Sequence, residues 1–200
     1  MKKVLLIIVG IGVCVQFGVL ASMLVKRELT LRYGEVFRFH TAPVDPFDAF
    51  RGRYVALSFD IERERLGTLD TWQLQDNKPC YVQLGTDTNG FATVVRGTEC
   101  HVAAVFRDNP GNLPVIKARI EKRWIGQGYH HTIKLPFDRF YMPEKLAPEA
   151  ERVYLEATRG RDRTQSAAAV VRVWRGNAVI EDLEINGVPI VEYLRQAGGN

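Results

Sequence analysis

Length, composition and charge place the chain among ordinary globular proteins. It has 200 residues, of which 46% are hydrophobic and 25% charged, so it can build one domain with a core and is too apolar for a disordered chain. The formal net charge is +4, but Lys2 and Lys3 precede the first acid, Glu28, and the other 25 basic residues face 23 acidic ones. This near-balance excludes a strong electrostatic case for nucleic acid, and we predict no nucleic-acid partner.

The N-terminal run predicts a transmembrane helix. Val4–Val25 carries no charge, and as an α-helix it would be about 33 Å long, which matches a hydrocarbon core of about 30 Å. A cleaved signal peptide is the alternative, because "GVLA" before Ser22 resembles a cleavage site. The apolar run is too long for such a leader and continues past that point. We therefore predict an uncleaved anchor in the lipid bilayer over residues 1–27, with the long C-terminal part exported.

Small residues recur along this helix at every fourth position, which indicates a packing surface. A ridge of small side chains lets two membrane helices approach closely. The alternative is that glycine is simply common in membrane helices. The ridge residues are Gly10, Cys14, Gly18 and Ser22, with Ala21 beside them.

After Glu35 the hydrophobic period is two, which predicts strands. In "YVALSFDI" the alternation puts Val55, Leu57, Phe59 and Ile61 on one face. Further strands are predicted for the segments "EVFRFHT", "CYVQLG", "FATVVR", "CHVAAVF", "VIKARIEKRW", "YHHTIKL" and "AAVVRVWRGNAVIEDLEING", the last as a hairpin around Gly176-Asn177 that closes on a second turn at residues 186 and 187.

One segment has a helical period instead. "APEAERVYLEATRG" places Ala150, Val153, Tyr154 and Ala157 on one face, with Pro148 in the first turn. The predicted fold is mainly β: a single sandwich or partly open barrel over residues 35–195 with one short helix. A juxtamembrane link of residues 28–34 would join it to the transmembrane helix.

The stretch "APVDPFDAFRGRYVALSFDI" predicts a specified corner between two strands. Pro43 and Pro46 fix the backbone, while Asp45 and Asp48 can accept hydrogen bonds from nearby N–H groups. Gly52 permits a conformation that other residues resist, just before the strand. These residues therefore have folding roles, although the same loop is the best candidate for a ligand site.

The same stretch resembles the GDYXXLXY protein family, membrane-anchored bacterial proteins. Gly52, Tyr54 and Leu57 match the motif, whereas Arg53 replaces its Asp and Phe59 its final Tyr. The preceding Pro-Val-Asp-Pro and Arg51 also fit, as do "LPFDRFYMPE" and "NAVIEDLEINGVPI". The family has no assigned biochemical function, and its members tend to be encoded beside multi-pass membrane proteins. The resemblance therefore implies a bacterial inner-membrane protein with a periplasmic domain and a multi-pass partner, not a reaction.

No catalytic motif stands out. Arg53 is always charged and donates only, so it cannot replace a catalytic or metal-binding aspartate. Asp60 and Glu62 are predicted on the outward face of a strand, where a general acid–base pair is not expected. His130 and His131 point to opposite faces of their strand and cannot easily share an ion. We predict no enzyme, no metal and no cofactor.

Cys80 and Cys100 could form a disulfide in an oxidising periplasm. Closing a loop of about 20 residues would stabilise the fold by roughly 3 kcal/mol. Two reduced thiols are the alternative.

Two functions remain open from the sequence. The first is an anchored, periplasm-facing accessory domain that partners a multi-pass membrane protein. The second is an envelope hydrolase or a module that binds a small ligand, with its site in the 43–54 loop. The biological process, the ligand and the oligomeric state do not follow from the sequence.

Overall fold

The structure is a computed structural model, and it describes residues 2–42, 54–63, 76–99, 114–125, 128–159 and 166–198. The fold is mainly β with three α-helices in these ranges, which confirms the predicted class. The elements are α1 (Lys2–Tyr33), β1 (Glu35–Ala42), β2 (Tyr54–Ala56), β3 (Ser58–Phe59), a 3₁₀ turn (Asp60–Glu62), β4 (Pro79–Thr86), β5 (Ala92–Glu99), β6 (Val115–Ile125), β7 (Gly128–Lys134), β8 (Arg139–Tyr141), α2 (Ala147–Arg159), β9 (Ala167–Trp174), β10 (Asn177–Ile185), β11 (Val188–Pro189) and α3 (Ile190–Gly198).

The strands form two large sheets and one small one. One sheet has the order β11-β10-β9-β1-β3, the second β5-β4-β6-β7, and β2 pairs with β8 alone. Two bridges join the large sheets, Arg38 to Phe91 and Ile116 to Gly176. The curved half-barrel that results corresponds to the partly open barrel among the two predicted alternatives.

The core follows the predicted alternation. The alternation in "EVFRFHT" puts Phe37 and Phe39 on one face, and that in "VIKARIEKRW" predicts Ile116, Ala118 and Ile120 inward. All five residues are buried. At the centre, Phe39, Phe59 and Phe137 meet edge to face, with ring centroids 5.3 to 5.9 Å apart. Each such pair adds about 0.5–1.5 kcal/mol beyond the burial of its surface.

The two helices of the domain cover the sheets. The predicted face of α2 is confirmed, since Ala150, Val153, Tyr154 and Ala157 are all buried. The sequence prediction did not include α3, which follows the short strand β11 and buries Ile190 and Leu194. α3 is only nine residues long, which is shorter than the window of about 11–18 residues in which a helical period is recognised.

Two tight turns connect the last three strands. Asn186 and Gly187 both have positive φ, as the predicted Asn-Gly hairpin turn requires. In the preceding hairpin, Arg175 and Gly176 have positive φ and Asn177 pairs with Trp174. The turn therefore lies one residue before the predicted Gly176-Asn177 position.

The N-terminal helix continues into the domain without a break. It ends at Tyr33, so the predicted juxtamembrane link is helical through residue 33. Its span Ile7–Tyr33, with a mean hydropathy of 2.3, is long and apolar enough to cross a membrane. A membrane anchor and a signal sequence both have these properties. Its last turns pack against β9 and β10.

The junction between helix and domain is tightly packed. Thr30 is fully buried, and its carbonyl accepts a hydrogen bond from the N–H of Gly34 at 2.9 Å. The Arg172 guanidinium donates to the Gly34 carbonyl at 3.3 Å, and the rings of Tyr33 and Trp174 lie 6.4 Å apart. A side chain at Gly34 would overlap the Thr30 carbonyl oxygen, so glycine is required for this close approach.

Candidate functional site

The two sequence blocks that carry the family resemblance pair with each other. Strands β2 and β8 are antiparallel, with Tyr54 opposite Tyr141 and Ala56 opposite Arg139. The Tyr54 and Tyr141 rings lie 5.7 Å apart, and the Arg139 guanidinium lies 5.0 Å from the centre of the Tyr54 ring. A hydrogen bond with Tyr141 raises the pKa of Arg139 above its already high ordinary value. The Arg139 guanidinium thus contacts Tyr54 of one block and Tyr141 of the other.

The predicted loop site is only partly described. Tyr54 is half-buried at the start of β2, and Leu57 is buried in the core, where it can pack but cannot reach a ligand in solvent. The N–H of Leu57 donates to the Asp138 carbonyl at 2.8 Å. The other candidates lie outside the described residues, and the loop site stays a prediction for them: Pro43, Asp45, Pro46, Asp48, Arg51, Gly52 and Arg53.

The prediction that Glu62 faces outward is wrong. The strand ends at Phe59, and the 3₁₀ turn that follows buries both Ile61 and Glu62. The Glu62 side chain is 2% exposed, whereas that of Asp60 is 50% exposed. A switch from extended to 3₁₀ backbone breaks the alternation of a strand, so parity could not locate Glu62.

Glu62 is held by two donors from the end of β7. One carboxylate oxygen accepts the N–H of Leu135 at 2.9 Å, and the other accepts from Lys134 Nζ at 3.1 Å. The Lys134 side chain is about one third exposed, so the pair joins the interior to the surface. With both oxygens engaged, this carboxylate fixes the position of Leu135 at the start of the second family block.

A buried tyrosine closes the end of β1, next to the predicted loop. The Tyr154 hydroxyl donates to the Ala42 carbonyl at 3.0 Å, and the Thr41 hydroxyl donates to the Ala167 carbonyl at 2.8 Å. Burial raises the pKa of Tyr154 to about 12. The hydroxyl is therefore neutral at physiological pH and acts as a donor that holds the last residue of β1.

The titratable side chains that could suggest acid–base or metal chemistry are dispersed. His40 lies 3.0 Å from Asp60, and both are about half exposed. His130 and His131 lie side by side on β7, opposite Arg123 and Lys122. Within the described ranges, no group of three or more His, Cys, Asp or Glu residues could hold a metal ion.

A groove made of two cavities runs along the body from α1 toward the buried Glu62. The upper cavity is the one next to Lys134 and Leu135, which hold Glu62, and the lower cavity is the one next to α1. The upper cavity, of about 400 Å³, lies between the edges of β6 and the segment after β7; its residues are Pro79, Lys117, Ala118, Arg119, Lys134, Leu135, Pro136 and Asp138. The lower cavity, of about 330 Å³, lies between α1 and the β9–β10 hairpin; its residues are Met23, Lys26, Arg27, Thr30, Lys117, Pro136, Gly176, Asn177, Ala178 and Val179. Lys117 and Pro136 line both, so the two cavities are neighbours.

The sequence prediction missed this groove, although two signals pointed to it. Lys26 and Arg27 are the first charges after the apolar run, and Met23, Lys26, Arg27 and Thr30 have the spacing of one helical face. Their face meets the body only because α1 continues past the apolar run into the domain.

The predicted small-residue ridge lies on the surface of α1. A side chain built at Gly10 or Gly18 would meet nothing within 4 Å. The Ser22 hydroxyl donates to the Val19 carbonyl of its own helix at 2.7 Å. Cys14 and Ala21 are exposed on the same helix. None of the residues that the structure describes in the body covers this ridge.

The predicted disulfide is half described. Cys80 is buried on β4, opposite Glu99 of β5. Cys100 follows directly after β5 and lies outside the described residues. The pairing of the two thiols stays a prediction.

Among the comparisons with known proteins, one family model matches the chain over a range that contains both paired blocks. No curated protein matches the chain, and no solved structure matches it. The family model described as GDYXXLXY protein matches residues 16–183, a range that runs from within α1 to β10 and contains both β2 and β8. The chain therefore belongs to the GDYXXLXY protein family.

Proposed function

We propose that this chain is a non-enzymatic accessory subunit, anchored by α1 in the bacterial inner membrane with its β domain in the periplasm, and that it partners a multi-pass membrane protein. The observation that carries the proposal is the unbroken helix, which is apolar and exposed over its first part and packed into the domain at its end. Such a helix holds the body at a fixed position on the membrane.

The length of the apolar run, which continues past Ala21 to Val25, supports an anchor more than a cleaved leader. Met23 and Lys26 form one wall of the lower cavity, and Thr30 is buried against the body. Cleavage after Ala21 would leave these turns attached to the domain but remove the apolar turns that place it on a bilayer. The cytoplasmic N-terminus rests on the shortness of the segment before the span, because Lys2, Lys3 and the α-amino group on one side are balanced by Lys26, Arg27 and Arg32 on the other.

The geometry of α1 supports a partner helix on one side. At 100° per residue, the small ridge centred on Cys14 and Gly18 lies about 150° around the helix from the face of Met23 and Thr30 that meets the body. The ridge therefore points away from the domain. Small residues on an uncovered membrane helix permit close packing against another helix.

The experiment is co-purification of the tagged full chain from native membranes after mild crosslinking. We expect one integral-membrane partner, which is lost in Gly18→Leu because the added side chain separates the helices. The matched control is Gly12→Leu, which adds the same side chain about 120° around α1 from Gly18 and should retain the partner. Equal recovery from both variants, or no partner above background, contradicts the proposed role.

The anchor and its orientation are tested separately. The mature chain should begin at the N-terminus of the full sequence and stay in the membrane fraction at alkaline pH. Protease added outside spheroplasts should digest the β domain. A shortened, soluble chain, or a domain protected from protease, contradicts the proposed topology.

A further inference from the structure

The lower cavity carries a concentrated positive charge without acidic neighbours. Lys26 and Arg27 line it from α1, and Lys117 lines it from β6. Their side chains make no ion pair or hydrogen bond with any residue that the structure describes, and all three are exposed. None of the residues that line this cavity is acidic. An anion that entered would therefore meet three cations that no described acid neutralises.

The position of the cavity along α1 fixes which anions are near it. Met23 belongs to the last turn of the apolar run, and Lys26 is the first charged residue after it. Three residues, about 4.5 Å along the helix axis, separate Met23 from Lys26. If α1 spans a bilayer, the cavity therefore lies where the hydrocarbon ends and the phosphate groups begin, with its apolar end toward the acyl chains.

We propose that this cavity binds the headgroup of an anionic phospholipid, with the phosphate near Lys26, Arg27 and Lys117 and the first acyl carbons against Met23. The proposal rests on the membrane anchor proposed above. Asn177 and the Thr30 side of the cavity provide its neutral walls. Its volume of about 330 Å³ lies within the range of sites for small ligands.

The charges favour an anionic lipid over a zwitterionic one. A zwitterionic headgroup would bring an ammonium group beside the same three cations, and no carboxylate lines this cavity to receive it. Asp138 is the one acidic residue that lines the upper cavity among the described residues, and Arg139 lies 3.5 Å from it. A phosphatidylglycerol-type headgroup brings no cation, so it avoids this repulsion.

The test uses the full chain in nanodiscs of equal parts phosphatidylglycerol and phosphatidylcholine. Native mass spectrometry of the ejected protein counts the lipids that it retains. We expect phosphatidylglycerol to be retained in preference. A basic residue near an anionic membrane surface contributes a factor of about five in affinity, so the double variant K26Q/K117Q should reduce the preference about 25-fold.

Two further variants separate a built site from general surface charge. The control K145Q/R195Q removes the same charge at exposed positions that do not line the groove and should change the preference less than about twofold. Asn177→Trp keeps every cation but fills the cavity, so it should also lose the preference. Inorganic phosphate in the buffer should not compete, because the cavity opens toward lipid.

Each other outcome overturns part of the account. If K26Q/K117Q or Asn177→Trp retains phosphatidylglycerol as well as the unaltered chain does, there is no headgroup site. If millimolar phosphate displaces the lipid, the ligand is a soluble anion. Both results leave the anchor intact. If the full chain does not enter the nanodisc, the proposed anchor fails and the lipid site fails with it.

Discussion

Removing the partner of the buried Glu62 should destabilise the fold, and removing the charge as well should restore much of the loss. In Lys134→Met the carboxylate keeps only the N–H of Leu135, at 2.9 Å. Breaking a fully buried pair costs about 3–5 kcal/mol. Because Lys134 is one third exposed, water can replace part of its contact, and we expect a loss of about 2 kcal/mol.

A second variant, which removes the charge of Glu62, tests whether the unpaired carboxylate causes the loss of stability. Glu62→Gln keeps an oxygen for the Leu135 N–H and carries no charge, so alone it should cost about 1 kcal/mol. In the double variant E62Q/K134M no buried charge remains. We therefore expect the double variant to be more stable than Lys134→Met alone, by about 1 kcal/mol.

The measurement is thermal unfolding of the full chain in one detergent, followed by near-UV circular dichroism. For a chain of this size, 1 kcal/mol corresponds to about 2–4 °C, so Lys134→Met should lower Tm by about 4–8 °C. Lys145→Met, at an exposed position, is the control and should leave Tm unchanged. If the losses of the two single variants simply add in the double variant, the carboxylate is not a buried charge that depends on Lys134.

Three further predictions concern the tyrosine, the junction and the cysteines. The folded-state pKa of Tyr154 is raised from 10.0 to about 12, so its contribution to the free energy of unfolding is complete below pH 10 and is lost as the pH rises toward 12. The loss should be about 2–3 kcal/mol, and Tyr154→Phe should remove this pH dependence. Tyr141→Phe, at an exposed position, should leave it unchanged. Gly34→Val should loosen the end of α1 from the sheet and expose its last turn to hydrogen exchange, and unchanged protection there would contradict the tight junction. Non-reducing electrophoresis after alkylation should show a faster band for the Cys80–Cys100 disulfide, and three titratable thiols in the purified chain, Cys14 included, would rule it out.

The sequence predicted those features that depend on local period. Strand alternation located the buried faces of β1 and β6, and the 3.6-residue period located the buried face of α2, because burial of each element repeats with its own geometry. It failed at Glu62 and at the Arg175-Gly176 turn, where a 3₁₀ turn and a shift of one residue change which way a side chain points. The family blocks were recognised in the sequence, but their pairing through Tyr54 and Tyr141 was not predicted.

The amino-acid sequence by itself determined the apolar N-terminal helix, the mainly β domain and the family of this chain, since each depends on residues that are close together along the chain. Only the tertiary structure decided that α1 continues into the body, that β2 meets β8 and that Lys117 joins Lys26 and Arg27 around one cavity. These contacts link residues far apart in sequence. Their geometry depends on how the sheets close around the core, and no local period records it.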